Sequence, residues 1–250
     1  MFPLQCLTPE QCYLLIAPQE PTEHMIVFLH GLGDSPEYFV QTPVIQTVLD
    51  KMQNKKMEPA VILVPDGRKG YWTDWADGEH PYETQTLEII RYVQAEQHSN
   101  DIALVGVSMG GFGTLSIGLR HPELFSFLVA YSPTDMDIAI QNQPNSPIYK
   151  DVFGVGESSD IYLPYALARN PRELILRGAG KDQQIHWIYG DAEAAKFSQG
   201  CARLEQTAIA QELEPHVLVV EGGEHSFATT WTKQSTEWWI EYWQQHVLEK

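Results

Sequence analysis

A serine between two glycines is the first feature of the sequence with an evident chemistry. Residues 106–110 read G-V-S-M-G, between an apolar run at 102–107 and a helical stretch at 112–120. This matches G-x-S-x-G, in which a sharp turn from strand to helix leaves room only for glycine two residues before and after the serine. The turn lifts the hydroxyl above the strand ends, where helix amides face a developing negative charge. The pattern predicts that Ser108 is a nucleophile.

A serine hydroxyl is a weak nucleophile at neutral pH and needs a base. On a strand–turn–helix of this kind, the partners follow after later strands in the order serine, acid, histidine. Among nine histidines, His225 follows the last apolar run, 216–220, through a loop that contains two glycines. We expect His225 to lie at the same end of the sheet as Ser108 and to act as its base.

The acid has two candidates. Asp191 follows the apolar run at 185–189, and one helix and one strand separate it from His225. This is the expected spacing of an acid after the penultimate strand. Asp182 would take the role instead if the penultimate strand were 173–177. We predict Asp191 and keep Asp182 as the alternative.

Two backbone amides are candidates for an oxyanion hole. Residues 30–34 read H-G-L-G-D and end the apolar run at 25–29. In that position the amide of Leu32 would join the amide of Met109 in facing the negative charge that forms during acyl transfer. Alone, H-G-x-G is also consistent with a simple glycine turn after a strand.

These residues need a parallel sheet to bring them together, and the sequence has the pattern of one. Several strand-length apolar runs lack polar alternation, which is typical of strands buried on both faces, and helical stretches alternate with them. The predicted strands are 13–17, 25–29, 60–64, 102–107, 127–131, 185–189 and 216–220. The predicted helices are 81–97, 112–120, 192–213 and 236–248, and Trp239 and Trp243 on the last of these are assigned to the core. The fold class is therefore α/β.

The chain reads as a single domain over residues 1–250, without repeats or a dividing linker. Residues 132–171 are richer in Pro, Asn, Asp and Ser and have no sustained period. A stretch of this length is unusual as a simple connection, so we expect an insertion or cap near the active site.

Composition excludes several classes of function. The chain is 43% hydrophobic with a formal charge of −17, which indicates a globular protein that repels nucleic acid and anionic membranes. No apolar run approaches the roughly 18 residues of a membrane helix. The N-terminal residues lack a secretory pattern, so we expect a cytoplasmic location. Three scattered cysteines do not suggest a disulfide framework or a metal site, and we interpret Cys6, Cys12 and Cys201 as packing residues.

Taken together, the motifs resemble the esterase D and tributyrin-esterase group of α/β-hydrolases, which also contains carbohydrate esterases and secreted mycolyltransferases. The matching segments, in chain order, are H-G-L-G-D-S at 30–35, P-D-G at 65–67, Y-W-T-D-W at 71–75, Y-E-T at 82–84, G-V-S-M-G-G-F-G at 106–113, H-P-E-L-F at 121–125 and G-G-E-H-S-F at 222–227. The departure lies between 133 and 191, where the chain does not align with the group.

The resemblance implies an α/β-hydrolase fold, with a mostly parallel central sheet and helices on both faces. It implies a triad of Ser108, His225 and a loop carboxylate, with the Leu32 and Met109 amides as oxyanion hole. Trp72 is a candidate to line the substrate pocket, with aromatic core as the alternative.

The expected activity is that of a serine carboxylesterase on small acyl esters, with no cofactor and no metal. Thioester hydrolysis of the S-formylglutathione kind and deacylation of sugar or feruloyl esters are the alternatives. A non-catalytic binding module on the same fold is a further one. The oligomeric state is left open.

Overall fold

A single sheet organises the molecule, in a computed structural model that describes residues 3–154, 165 and 167–249. Its eight strands lie in the order β1-β2-β4-β3-β5-β6-β7-β8. The strands are β1 (Leu4–Cys6), β2 (Cys12–Ile16), β3 (His24–Leu29), β4 (Val61–Pro65), β5 (Asp101–Val107), β6 (Phe127–Tyr131), β7 (Gln184–Gly190) and β8 (His216–Val220). β1 and β2 run antiparallel to their neighbours, and β3 to β8 are parallel.

Helices cover both faces of the sheet. In the described part of the chain they are α1 (Pro36–Phe39), α2 (Pro43–Gln53), α3 (Tyr82–Gln97), α4 (Met109–Gly118), α5 (Met136–Asn142), α6 (Pro147–Phe153), α7 (Pro171–Leu176), α8 (Ala195–Ala210) and α9 (Lys233–Leu248). One hydrophobic core lies between the sheet and α3, α4 and α8, and the other lies between the sheet and α2 and α9. Trp239 and Trp243 belong to the second core, as predicted.

The predicted α/β-hydrolase architecture is confirmed, and each predicted strand is present with boundaries within one residue. The central strands β4, β5 and β6 are buried along their whole length. Continuous burial explains why their apolar runs could be recognised without alternation. β1 was missed because it has three residues and all of them are exposed.

The alternative prediction of a penultimate strand at 173–177 is wrong. Pro171–Leu176 forms the short helix α7, with Pro at its start. The penultimate strand is β7, and Asp182 precedes it. Asp182 therefore lies at the amino end of the parallel strands, whereas Ser108 follows the carboxyl end of β5.

The interpretation of the cysteines needs one correction. Cys6 and Cys12 form a disulfide, because the antiparallel register of β1 and β2 places them directly opposite each other. Cys201 is a free and buried thiol, in agreement with a packing role.

The proposed insertion at 132–171 is described in part. It contains α5 and α6, and residues 155–164 and 166 lie outside the described residues. Among the described residues, no helix is long and apolar enough to cross a membrane.

Candidate active site

Ser108 occupies a strained turn between β5 and α4. Its backbone angles are φ 57° and ψ −115°, which a non-glycine residue rarely adopts. A β-carbon at Gly106 would overlap the carbonyl of Gly110, and one at Gly110 would overlap the carbonyl of Leu29. The two glycines of the motif are therefore required by close backbone packing, and the turn presents the serine side chain at the carboxyl end of the sheet.

His225 lies beside this serine, on the loop between β8 and α9. Its Nε2 is 2.8 Å from the Ser108 Oγ, and its Nδ1 is 2.6 Å from Oε2 of Glu193. A carboxylate can only accept, so Nδ1 carries a proton and donates it to Glu193. In the neutral ring Nε2 is then the acceptor for the serine hydroxyl, which is the arrangement that a general base needs.

The acid predicted from sequence is corrected by this geometry. Asp191 is exposed, and its Oδ1 accepts a hydrogen bond from the Gly222 amide at 2.7 Å. Glu193, two residues further along the loop, is the carboxylate that contacts His225. The loop turns back after β7, since the Gly190 amide donates to Glu193 Oε1 at 2.8 Å. The order of the elements was right, but the path of the loop was not visible in the sequence.

Glu193 is buried and well supplied with hydrogen bonds. Its Oε1 accepts from Ser132 Oγ at 2.7 Å, in addition to the Gly190 amide. Ser132 in turn accepts from the indole of Trp231 at 2.8 Å. Donors of this kind stabilise a buried carboxylate, and they hold it against the imidazole. The roles of Ser132 and Trp231 were not predicted from the sequence. The only signal for them is position, since Ser132 directly follows β6 and Trp231 follows the loop that carries His225.

The loops that carry Glu193 and His225 pack closely. A β-carbon at Gly190 would overlap the carbonyl of Gly223 and approach the Thr230 hydroxyl. The ends of β7 and β8 can approach this closely only because both positions are glycine. The acid and the base are thus held by backbone contact as well as by their own hydrogen bond.

The segment after β3 lies against the nucleophile. A β-carbon added at Gly31 would lie 3.7 Å from the Ser108 Cβ. Among the residues that the structure describes, the backbone amides of Leu32 and Met109 have no hydrogen-bond partner. Both amides are therefore free to donate to an oxyanion.

Trp72 is not available to a substrate in this structure. Its side chain has 0% exposure, and its indole donates to the His30 carbonyl at 3.1 Å. The His30 ring accepts from the Gly67 amide at 3.1 Å through Nε2, which leaves Nδ1 to donate to the Gly31 carbonyl at 2.9 Å. Trp72 therefore does not line a substrate pocket, as one prediction had it, but lies beneath the candidate oxyanion loop and supports it. This agrees with the alternative prediction that Trp72 is an aromatic core residue.

Asp34 is an ionisable group on the oxyanion side. A β-carbon at Gly31 would lie 3.1 Å from Oδ2 of Asp34. Burial raises the pKa of Asp34, and the nearby His30 and the Gly31 amide oppose this rise.

Within the described residues, no group of three or more His, Cys, Asp or Glu side chains is placed to hold a metal ion.

Comparisons with known proteins show the family and the fold of the chain. The family model described as "Putative esterase" matches residues 4–242. No curated protein sequence matches the chain. An S-formylglutathione hydrolase from Staphylococcus aureus has a TM-score of 0.73 at 16% identity, covering 97% of each chain.

Two further solved structures are similar. An S-formylglutathione hydrolase from Agrobacterium tumefaciens has a TM-score of 0.74 at 14% identity, covering 93% of this chain and 88% of the other. A ferulic acid esterase has a TM-score of 0.72 at 16% identity, covering 94% of this chain and 92% of the other. At such identities the likeness shows the fold, and the match over residues 4–242 shows the family.

Proposed function

This chain belongs to the "Putative esterase" family of α/β-hydrolases, and from that premise we propose that it hydrolyses small acyl esters through a triad of Ser108, His225 and Glu193. The family makes the chain a carboxylic ester hydrolase. The residues that perform the reaction and the ester that they act on are our proposal. The observation that carries it is the continuous chain of contacts from Ser108 Oγ to His225 and on to Glu193.

The first half of the reaction acylates the serine. As Ser108 Oγ attacks the ester carbonyl, His225 Nε2 takes its proton, and the carbonyl oxygen becomes an oxyanion. The Leu32 and Met109 amides would donate to that oxygen, and such donors typically contribute several kcal/mol to the lowering of the barrier. The tetrahedral intermediate then collapses, the C–O bond breaks, and His225 gives the proton to the departing alcohol.

The second half releases the acid. Water attacks the acyl-enzyme while His225 takes one of its protons, and the resulting intermediate expels Ser108 with return of that proton. Through both halves Glu193 keeps Nδ1 protonated and stabilises the imidazolium that forms. A carboxylate held by several donors can do this without becoming protonated itself.

The experiment that tests this proposal is a substrate panel on purified enzyme. The panel contains p-nitrophenyl esters of increasing acyl length, acetylated and feruloylated sugars, and S-formylglutathione. We expect the short p-nitrophenyl esters to be turned over by wild-type enzyme and not by Ser108→Ala. Higher kcat/KM on the thioester or on the sugar esters would move the assignment to those alternatives. Failure of a fluorophosphonate to label the intact protein, together with no turnover of any ester, would favour the non-catalytic module.

The location of the protein is also a proposal. The sequence favours the cytoplasm, but the disulfide between Cys6 and Cys12 argues for an oxidising compartment, where such bonds persist. Thiol titration of denatured, unreduced protein separates the two. One titratable thiol indicates the disulfide, and three indicate a reduced protein.

A further inference from the structure

The side chain that covers His225 is a phenylalanine. Phe197 stacks on the imidazole, with ring centroids 3.7 Å apart and planes 16° from parallel. In the proposed reaction His225 delivers its proton to the leaving alcohol or thiol. Phe197 therefore lies next to the group that protonates the departing alcohol or thiol.

A positive charge lies next to that phenylalanine. The ammonium of Lys196 is 4.7 Å from the centroid of the Phe197 ring. One aromatic ring thus contacts both the candidate base and a lysine, so that Lys196 lies one side chain away from His225. The proposed triad mechanism assigns no role to this lysine.

Lys196 has no carboxylate partner in the described part of the chain. Its polar contact there is the side-chain oxygen of Gln143, at 3.2 Å. It is partly buried, and burial lowers the pKa of its ammonium. In a chain with 33 acidic and 16 basic residues, a half-buried lysine without an acidic partner is unexpected.

The neighbouring carboxylates are engaged elsewhere. Glu193 binds His225, Ser132 and the Gly190 amide, and Asp191 binds the Gly222 amide. Neither is in a position that the structure pairs with Lys196. Among the residues that the structure describes, no carboxylate therefore neutralises the charge of Lys196.

The position of Lys196 in its helix does not favour a positive charge. Lys196 is the second residue of α8, and a positive charge in the first turn of a helix opposes the helix dipole. The first turn of α8 contains no acidic residue that would compensate for it. A neutral residue would serve the helix better.

We propose that Lys196 binds a carboxylate on the leaving-group part of the substrate, so that the enzyme prefers esters or thioesters whose alcohol or thiol is anionic. The inference rests on the proposed function, because it takes the leaving-group side from the role of His225. The chemistry is that of the hydrolysis above: water supplies OH to the acyl carbon and H to the departing anionic alcohol. Phe197 provides the apolar surface beside the charge.

The test compares two acetyl esters of similar size whose leaving groups differ in charge, the anionic 3-acetoxybenzoate and the neutral 3-acetoxybenzamide. The ratio of their kcat/KM values, anionic over neutral, is the readout. We expect Lys196→Met to lower this ratio about ten-fold, as loss of one partly screened charge pair predicts. Lys196→Arg should keep most of the preference. The preference of wild-type enzyme should also weaken with added salt.

The matched control is Lys181→Met. Lys181 is exposed and precedes β7, at the opposite end of the sheet from Ser108. Its loss changes the net charge by the same amount and should leave the ratio unchanged. A second control places the charge on the acyl side, with monophenyl succinate against phenyl butyrate, and here Lys196→Met should have little effect.

Three results would overturn the inference. An unchanged ratio in Lys196→Met, with neither kcat/KM value altered, would show that the lysine does not bind the anion. An equal loss on both acetyl esters would show that it only holds Phe197 in place. A loss confined to monophenyl succinate would place the charge on the acyl side. If the wild-type enzyme hydrolyses neither ester, the proposed function itself is contradicted and the inference fails with it. If the wild-type enzyme is active and one of the three results above is found, only the inference fails.

Discussion

Two histidines at opposite ends of the sheet, one partly exposed and one buried, show what turns an imidazole into a catalytic group. His225, at the carboxyl end, has a hydroxyl on one nitrogen and a carboxylate on the other. His186, in β7, has 0% exposure and stacks between Phe127 and His216, at 4.5 and 4.8 Å. Neither of its nitrogens has a well-formed hydrogen bond to a described residue.

The two rings differ both in their partners and in burial. Burial, with smaller contributions from His216 and His246, lowers the pKa of His186 to about 3, so that this ring stays neutral and acts as an aromatic packing element. At His225 the carboxylate fixes the tautomer and can stabilise a positive ring, which a proton shuttle requires. Substitutions on either side of this comparison, in the site around His225 or at His186, should have different effects.

The largest effect is expected at the nucleophile. Ser108→Ala should lower kcat by about 10⁴-fold or more, since nothing replaces the attacking oxygen. The fold should survive, because alanine is no larger than serine at a partly exposed turn. Steady-state kinetics and thermal unfolding of the same preparation check both statements. Ordinary turnover in the folded variant would assign the nucleophile to another residue.

The next effect separates the two carboxylates of the loop. Glu193→Gln should lower kcat by about 10² to 10⁴-fold, because an amide cannot stabilise the imidazolium and can favour the wrong tautomer. Asp191→Asn is the matched control, and we expect less than about a three-fold change from it. The reverse order in kcat would return the role of the acid to Asp191.

A smaller effect is expected one step further from the reaction. Ser132→Ala removes a donor from Glu193 and leaves the buried indole of Trp231 without its acceptor. We expect about a ten-fold lower kcat and a loss of about 1–3 kcal/mol in unfolding free energy. The acid limb of the pH profile of kcat/KM should also shift. A stability loss with an unmoved profile would reduce Ser132 to a structural role.

The smallest effect on activity is expected from His186→Phe. The pKa of His186 is lower in the folded state than in the unfolded chain, so the unfolded chain binds a proton on this residue more readily. The free energy of unfolding is therefore retained above pH 6.5 and decreases as the pH falls from 6.5 towards 3. This one group can cost up to about 1.4 kcal/mol per pH unit in that window. Urea unfolding at pH 7.5, 5.5 and 4.5 should show a shallower acid loss in the variant. An identical slope in both proteins would contradict a neutral His186.

Features that depend on local packing could be predicted from the sequence, whereas features that depend on the path of a loop in space could not. Burial of the central strands on both faces produces apolar runs that mark their positions, and the crowded turn imposes the glycines around Ser108. The position of His225 follows from the order of elements. The contact of Glu193 depends on how the loop after β7 folds back, which no local pattern encodes.

Two further differences have the same origin. The disulfide between Cys6 and Cys12 depends on the register of an exposed hairpin whose first strand has no apolar signal. The burial of Trp72 depends on the packing of its ring between Gly67 and Gly113 beneath the candidate oxyanion loop. Both are tertiary facts that residue type and spacing leave open.

Covalent labelling of the serine tests the central claim most directly. After reaction with a fluorophosphonate, mass spectrometry of the intact protein and of its peptides should show one adduct, on Ser108, formed far more slowly in Glu193→Gln than in Asp191→Asn. Labelling on a different serine, or equal rates in the two carboxylate variants, would contradict a triad of Ser108, His225 and Glu193.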